Sequence, residues 1–323
     1  NKNDIISDMI IDPDDGSIFA AVNINTNDEN WNWGIIHIKQ EANELVVDAS
    51  AIITFNNPGK NNYVKSIKIN SETPKSIYMS GYVDETSYCV VKLKQSAHTF
   101  TSDISYVYDV SNSIYRYPTT RYLDLPAITS TNIEYHGVDQ DDNYIYFSPY
   151  GNYNDSTTAR LQENKLTRVL KDNFVNASVE DLILETDISC QGQFTGVTID
   201  KTNNYGYLSP YMKDLSGIDG SQTDFGTVVR FSTQNYVSNT TNIKAIDLST
   251  NYNTAEIPGS KLTGFMGIKE YNSSVYLVPN KHSVFIRINK SRFDDTSTHA
   301  ISDISAVDLS NNNIVILLYS NAV

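Results

Sequence analysis

Five times along this chain of 323 residues a base or imidazole sits inside a short apolar run, and an acid follows in the next such run. The bases are His37 in Ile36-His37-Ile38, Lys92 in Val91-Lys92-Leu93, Arg160 in Ala159-Arg160-Leu161, Arg230 in Val229-Arg230-Phe231 and Arg287 in Ile286-Arg287-Ile288. The acids are Asp48, Asp109, Glu185, Asp247 and Asp308. If consecutive runs pair as strands, base and acid become neighbours, which predicts ion pairs Lys92 to Asp109, Arg230 to Asp247 and Arg287 to Asp308. Such pairs line a charged channel or, more simply, specify strand pairing at about 0–1 kcal/mol each. Catalysis needs asymmetry, which five copies of one pair do not supply.

Acid-rich turns are the second place for chemistry. Asp12, Asp14, Asp15 and Gly16, and again Asp139, Asp141, Asp142 and Asn143, resemble the start of an oxygen-rich calcium loop, without the EF-hand glutamate at position twelve. Asp12, Asp14, Asp139 and Asp141 are therefore weak calcium candidates, and a hairpin turn held by Asx hydrogen bonds is the competing reading. No other cofactor is expected. The histidines His37, His98, His136, His282 and His299 are scattered, with no pair at metal-ligand spacing. His136, beside Gly137 and near Glu134, is the one placed to face a channel if its strand is innermost. The sequence has no Gly-x-Ser-x-Gly, no phosphate-cradling glycine loop and no Ser-x-Asp-x-Gly-x-Thr-Trp box.

The elements that would position these residues repeat as well. A phrase recurs as Ser17-Ile18-Phe19-Ala20-Ala21-Val22, Ser76-Ile77-Tyr78-Met79-Ser80-Gly81, Tyr144-Ile145-Tyr146-Phe147-Ser148-Pro149, Tyr205-Gly206-Tyr207-Leu208-Ser209-Pro210 and Ser274-Val275-Tyr276-Leu277-Val278-Pro279. Its central aromatics Phe19, Tyr78, Tyr146, Tyr207 and Tyr276 are 59, 68, 61 and 69 residues apart, room for four strands and their loops. A short first strand precedes the phrase, clearest as Gly137-Val138-Asp139, Gly196-Val197-Thr198-Ile199 and Gly267-Ile268-Lys269, with a polar turn between. Alternation of apolar and polar positions, β-branched content and the lack of any sustained helical period make every element a strand.

The fold class expected is all-β, a single domain over 1–323 made of four-stranded antiparallel units at 4–57, 58–114, 115–187, 188–252 and 253–310, closed by a terminal strand in 311–323. A degenerate hairpin from Ile114-Tyr115-Arg116-Tyr117-Pro118 and Arg121-Tyr122-Leu123-Asp124-Leu125-Pro126 leaves room for a sixth unit. On the tyrosine phrase and its period the chain resembles the broad superfamily of β-propeller repeat proteins over nearly its whole length. It lacks the Gly-His and Trp-Asp pairs of WD40 blades and the double glycine of kelch blades. The Tyr-x-Tyr-ϕ-Ser-Pro form is similar to surface propellers of bacteria and protists. So general a likeness carries no catalytic residues.

Composition bounds the function. With 24 basic against 38 acidic residues the formal charge is −14, which repels phosphate backbones and anionic lipid, so nucleic acid is not an expected partner. No run of 18 apolar residues is present to span a membrane. Abundant Asn, Asp, Ser, Thr and Tyr with sparse Lys suits an extracellular or cell-surface protein. Cys89 and Cys190 fall in different units and are expected as free, part-buried thiols. The chain opens at Asn1 without a signal-like segment, as a processed form or a piece of a longer protein would. Sequons stand at Asn154, Asn176, Asn239, Asn272 and Asn289, about as many as chance gives in so Asn-rich a chain.

Contacts with partners are expected on irregular insertions: Trp31 and Trp33 in a loop of the first unit, Tyr115, Tyr117 and Tyr122, and the 213–225 loop. Exposed tryptophan and tyrosine anchor interfaces or stack on sugars. The sequence therefore reads as a non-enzymatic propeller that binds other proteins, glycans or copies of itself in assembly or adhesion. The alternative is a propeller hydrolase or lyase acting on a glycan at the channel mouth.

Overall fold

The computed structural model describes residues 5–27, 30–42, 44–47, 53–55, 63–70, 75–83, 87–94, 107–110, 113–116, 121–124, 133–151, 165–174, 179–184, 194–210, 227–237, 239, 241–248, 265–279, 284–294 and 304–308. The described elements are antiparallel strands, apart from one 3₁₀ turn over Lys290–Phe293. The first sheet runs in the order β1 (Ile5–Ile11), β2 (Ile18–Asn27), β3 (Asn30–Glu41), β4 (Glu44–Val47), with β5 (Ile53–Phe55) also on β3. The second joins β6 (Tyr63–Ile69), β7 (Ser76–Val83), β8 (Ser87–Lys94) and, as its fourth strand, β11 (Arg121–Asp124). Between them in sequence, β9 (Val107–Val110) and β10 (Ser113–Arg116) form a two-stranded hairpin. The third sheet is β12 (Ile133–Gln140), β13 (Tyr144–Gly151), β14 (Lys165–Leu170), β15 (Val179–Ile183). The fourth is β16 (Phe194–Asp200), β17 (Tyr205–Pro210), β18 (Thr227–Ser232), β19 (Ile243–Asp247), and the fifth is β20 (Phe265–Tyr271), β21 (Ser274–Pro279), β22 (Val284–Asn289), β23 (Ile304–Asp308).

Phe19, Tyr78, Tyr146, Tyr207 and Tyr276 all lie on the second strand of their sheets. Equivalence goes deeper than the phrase. The register of first against second strand slips by one residue at Ile6/Asp8, Val64/Ser66, Phe194/Gly196 and Phe265/Gly267, the same place in four sheets. A bulge bends the strand and increases its twist, so a bulge kept in register is part of the repeat. Hairpin turns take left-handed residues where the chain doubles back: Gly16 (φ 72°), Asn204 (φ 58°) and Asn272 (φ 53°).

Several strand assignments differ from the sequence reading; among them, the fourth strand of the third sheet is Val179–Ile183 and not the run around Glu185, which itself lies outside the described residues. The fourth strand of the second sheet is Arg121–Asp124 and not the Tyr108-Asp109-Val110 run, which instead pairs with Ser113–Arg116. The extra hairpin expected from 114–126 is thereby divided between that ribbon and the second sheet, because β10 follows β9 with only two residues between them in sequence. In the third sheet the third strand is Lys165–Leu170, carrying Arg168, while Arg160 lies outside the described residues. The closing strand expected over 311–323 and the 213–225 loop also lie outside them.

The chain divides into two compact units, one built from residues up to 138 together with 169–179, the other from 139–168 and from 180 onward, apart from the last residues of the chain. In the second unit two apolar clusters carry the packing. One gathers Tyr146, Leu166, Phe194, Leu208, Val229 and Phe231, the other Tyr207, Val228, Phe265, Leu277, Ile286 and Phe293. In the first unit Phe19, Ile35, Val64, Ile77, Tyr78 and Met79 are buried. Each fully buried side chain of this size contributes about 1.5–3 kcal/mol.

Candidate functional site

The repeated base stands opposite the aromatic of the second strand, not opposite an acid. Register places Phe19 against His37, Tyr78 against Lys92, Tyr207 against Arg230 and Tyr276 against Arg287. What the base does with that position is clearest in the second unit. Arg168 on β14 lies between two rings, its guanidinium carbon 3.9 Å from the Tyr144 ring centre and 4.0 Å from that of Tyr236. Its Nε and Nη2 donate to Glu180 on β15 at 2.9 and 2.6 Å, and Nη1 donates to the Thr233 carbonyl at 2.8 Å. Arg230 on β18 repeats this: its guanidinium lies over Tyr205 at 4.3 Å and Phe293 at 5.6 Å and forms two bonds to Asp294, at 2.8 and 2.5 Å. Stacking and bidentate pairing together suit arginine and not lysine.

Each clamp joins two successive sheets. Tyr236 follows β18 in the fourth sheet, yet it packs on Arg168 and Tyr146 of the third and donates its hydroxyl to the Leu166 carbonyl at 2.7 Å. Phe293 follows β22 and packs on Tyr207 of the fourth. Within the first unit Phe174 meets Tyr78 in the same way. The sequence reading missed these three aromatics. Their signal is a fixed spacing, since Phe174, Tyr236 and Phe293 each lie six residues after Arg168, Arg230 and Arg287.

The predicted ion pairs are corrected by the register. Arg230 faces Lys244 while Asp247 faces Thr227, three positions along β18, so the guanidinium takes Asp294 instead. Arg287 faces Ser305 and Asp308 faces Val284, the same offset. Lys92 faces Arg121, and Asp109 faces Ile114 on the separate ribbon. An offset of three positions is about 10 Å along the strands, so the register does not set either arginine opposite its expected aspartate.

The acidic turns hold neighbouring sheets by ion pairs. Asp12 is buried and accepts from Lys75 Nζ at 2.6 Å through both oxygens, and Asp14 accepts from the same ammonium at 2.8 Å. Both calcium candidates of this turn are thus engaged by one ammonium group. Asp139 instead accepts from the Ile199 amide at 2.7 Å, and Asp141 accepts from the amides of Asn143 and Tyr144 and from the Tyr146 hydroxyl at 2.5 Å. Asp142 pairs with Lys201, and Lys290 with Asp200 and Glu270. Asp8 accepts from Ser66 Oγ and the Ile67 amide, and Asn23, fully buried, bonds both the amide and the carbonyl of Val64.

Protonation follows these contacts. Burial opposes charge on Asp200, but hydrogen bonds from Asn203 and Lys290 outweigh it and hold the carboxyl below the ordinary range. The Arg230 guanidinium does the same for Asp294. Burial dominates at Asp8 and raises it. It also raises the Tyr146 and Tyr207 phenols, helped by the Asp141 carboxylate at Tyr146 and by Asp200 at Tyr207. These groups are suited to holding a frame.

Trp31 and Trp33 are not in a projecting loop but in β3, with register partners Asn25 and Asn23, and Trp33 also faces Phe55 on β5. Tyr115 lies on β10 facing Tyr108, Tyr122 on β11 facing Val91, and Tyr117 lies outside the described residues. Large apolar side chains are exposed elsewhere, on β1 (Ile5, Ile6, Met9) and over the length of β4 (Leu45, Val46, Val47). The His136 carbonyl accepts from the Ser80 hydroxyl at 3.2 Å. Asn239 and Asn289 use their side-chain oxygens to hold turns, and Asn272 forms a hairpin tip. Cys89 on β8 faces Gly81 and Asp124, and Cys190 lies outside the described residues. Among the described residues no helix is long and apolar enough to cross a membrane.

No protein-family model and no curated protein matches this chain. Solved structures do. A structure titled as a nidogen/laminin complex aligns at TM-score 0.51 and 10% identity over 91% of this chain and 79% of that one. A putative 6-phosphogluconolactonase from Bacteroides fragilis aligns at TM-score 0.49 and 11% identity over 94% and 87%. One from Bacteroides uniformis aligns at 0.48 and 13% over 88% and 67%. The neighbours include propeller-type folds, with which the repeated four-stranded antiparallel sheets agree.

Proposed function

We propose that this protein is a divergent five-bladed β-propeller that binds another protein at the cell surface or outside the cell, without catalysis. The observation that carries the reading is the use of the repeated charges. Arg168, Arg230, Lys75 and Lys290 with their carboxylates are engaged in tying sheets together, while apolar side chains are presented to solvent on β1 and β4. Exposed apolar patches are a mark of protein contact sites. The structural neighbour at TM-score 0.51 is a propeller seen with a protein partner, in keeping with that role.

A glycan-acting hydrolase or lyase is the second reading. Neighbours that include putative 6-phosphogluconolactonases and a GH43_1 enzyme complexed with xylotriose accord with this second reading more than with a scaffold. Purified protein incubated with a panel of plant and bacterial polysaccharides and sugar lactones decides between them. The expected result is no reducing end or acid released above a heat-denatured control, together with a saturable complex with a purified surface protein recovered by cross-linking in the native host. Turnover of any of these substrates by the purified protein sinks the binding reading.

A further inference from the structure

The hairpin of β3 and β4 is poorly satisfied by its own sheet. Its closing residues, Glu41 and Glu44, are directly opposite and both exposed, and like charges so placed repel. Ala42 in the turn takes φ 55°, a conformation that disfavours any residue with a side chain unless something compensates. All four residues of β4 are exposed, Leu45 at 67%, Val47 at 50% and Val46 at 37%. β4 ends the strand order of the first sheet, so among the described residues its outer edge offers N–H and C=O groups to a further strand. Natural edge strands are commonly short, charged or covered; this one is short and carries Glu44, yet it still presents the apolar run Leu45-Val46-Val47 at its edge.

We infer that β4 is the docking edge for an extended segment of a partner protein, which adds to the first sheet as a strand and carries apolar residues against Leu45, Val46 and Val47 with a lysine or arginine beside Glu41 and Glu44. This rests on the protein-binding reading above and gives it a place. The main-chain ladder supplies affinity, alternate side chains supply specificity, and the partner's cation relieves the repulsion between the two carboxylates. Charge also selects the occupant. A second copy would bring another net charge of −14 and its own Glu41 and Glu44 to the same edge, whereas a basic strand is attracted by both.

The probe is an array of eight-residue peptides in which Val, Ile or Leu alternates with Thr and two Lys stand at one end, beside counterparts ending in two Glu. The full chain should bind the lysine peptides at least about tenfold better than the glutamate set. The double variant Leu45→Lys/Val47→Lys should lose binding by about tenfold or more with its thermal midpoint unchanged, since exposed positions tolerate substitution. Glu44→Lys should abolish or reverse the preference for lysine peptides. The proposal is overturned if the wild type retains no lysine peptide, if the double variant binds them equally well, or if sedimentation finds a dimer that the double variant dissolves. A partner complex that forms equally with the double variant removes the β4 edge alone, and turnover of a glycan removes the binding reading beneath it.

Discussion

The arginine clamps of the second unit and the equivalent position in the first sheet solve one problem with different chemistry. Arg168 and Arg230 are stacked on aromatics and chelate a carboxylate, whereas His37 lies flat on Phe19 at 4.3 Å between ring centres. The clamp also recruits an aromatic from the following sheet, Tyr236 or Phe293. In the first sheet the tie comes from Asp8 and Asn23 reaching β6, and the far edge at β4 is exposed. The same repeat thus yields a strongly tied frame in one region and an apolar edge available for contact in another.

The largest effect should come from breaking a clamp. Arg168→Ala removes two ring stacks and three hydrogen bonds from a buried guanidinium and should cost about 2–4 kcal/mol, against about 1 kcal/mol for His37→Ala. Urea midpoints of the two variants measure the gap, and equal losses would erase the contrast. Two glycines sharpen it further. At Gly206 an added Cβ would stand 2.0 Å from the Phe231 ring, so Gly206→Ala should cost about 1–3 kcal/mol through overpacking. At Gly16 nothing lies within 4 Å of an added Cβ, and Gly16→Ala should cost about 1 kcal/mol from its positive φ alone.

The carboxylates of the two regions should respond to acid with opposite sign. Asp200 is held below its ordinary pKa, so its stabilisation is complete above about pH 4 and disappears as pH falls through the folded value. The deficit of Asp200→Asn relative to the wild type should therefore shrink on acidification. Asp8 is raised, so its charge disfavours the fold above the raised value and the wild type recovers as pH falls towards the ordinary one. Asp8→Asn should then compare best at neutral pH and lose ground in acid, as read from unfolding midpoints between pH 3 and 7. The smallest stability effect belongs to Leu45→Lys/Val47→Lys, within about 0.5 kcal/mol by the same midpoints, because both positions face solvent. A large loss there would mean that β4 is packed against its own chain.

The strands were readable because their cause is local. The alternation around Tyr207, the turn at Asp200 to Asn204 and the aromatic phrase each specify a hairpin within about ten residues. Pairings across longer spans were not. Arg230 and Asp247 are both correctly placed on adjacent strands, but the sequence alone does not fix their register, and a slip of three positions exchanged Asp247 for Asp294. The fourth strand of the second sheet failed for the same reason, since Tyr108-Asp109-Val110 has all the local marks of a strand and lost the edge to Arg121–Asp124. The clamp aromatics were visible as the six-residue spacing from arginine to Phe174, Tyr236 or Phe293, but their meaning depends on a ring about ninety residues earlier, Tyr78, Tyr146 or Tyr207. The exposure of β4 left no local mark, because Glu44-Leu45-Val46-Val47 reads as any half-buried strand.

By itself the sequence determined that the chain is a series of four-stranded antiparallel sheets with an aromatic at the centre of each second strand, because periodicity and turn chemistry act over a few residues. The tertiary structure alone decided which charge meets which, that the acidic turns hold lysines, and which edge carries apolar side chains into solvent. Those outcomes depend on register and on contacts between sheets, and no local free energy specifies either.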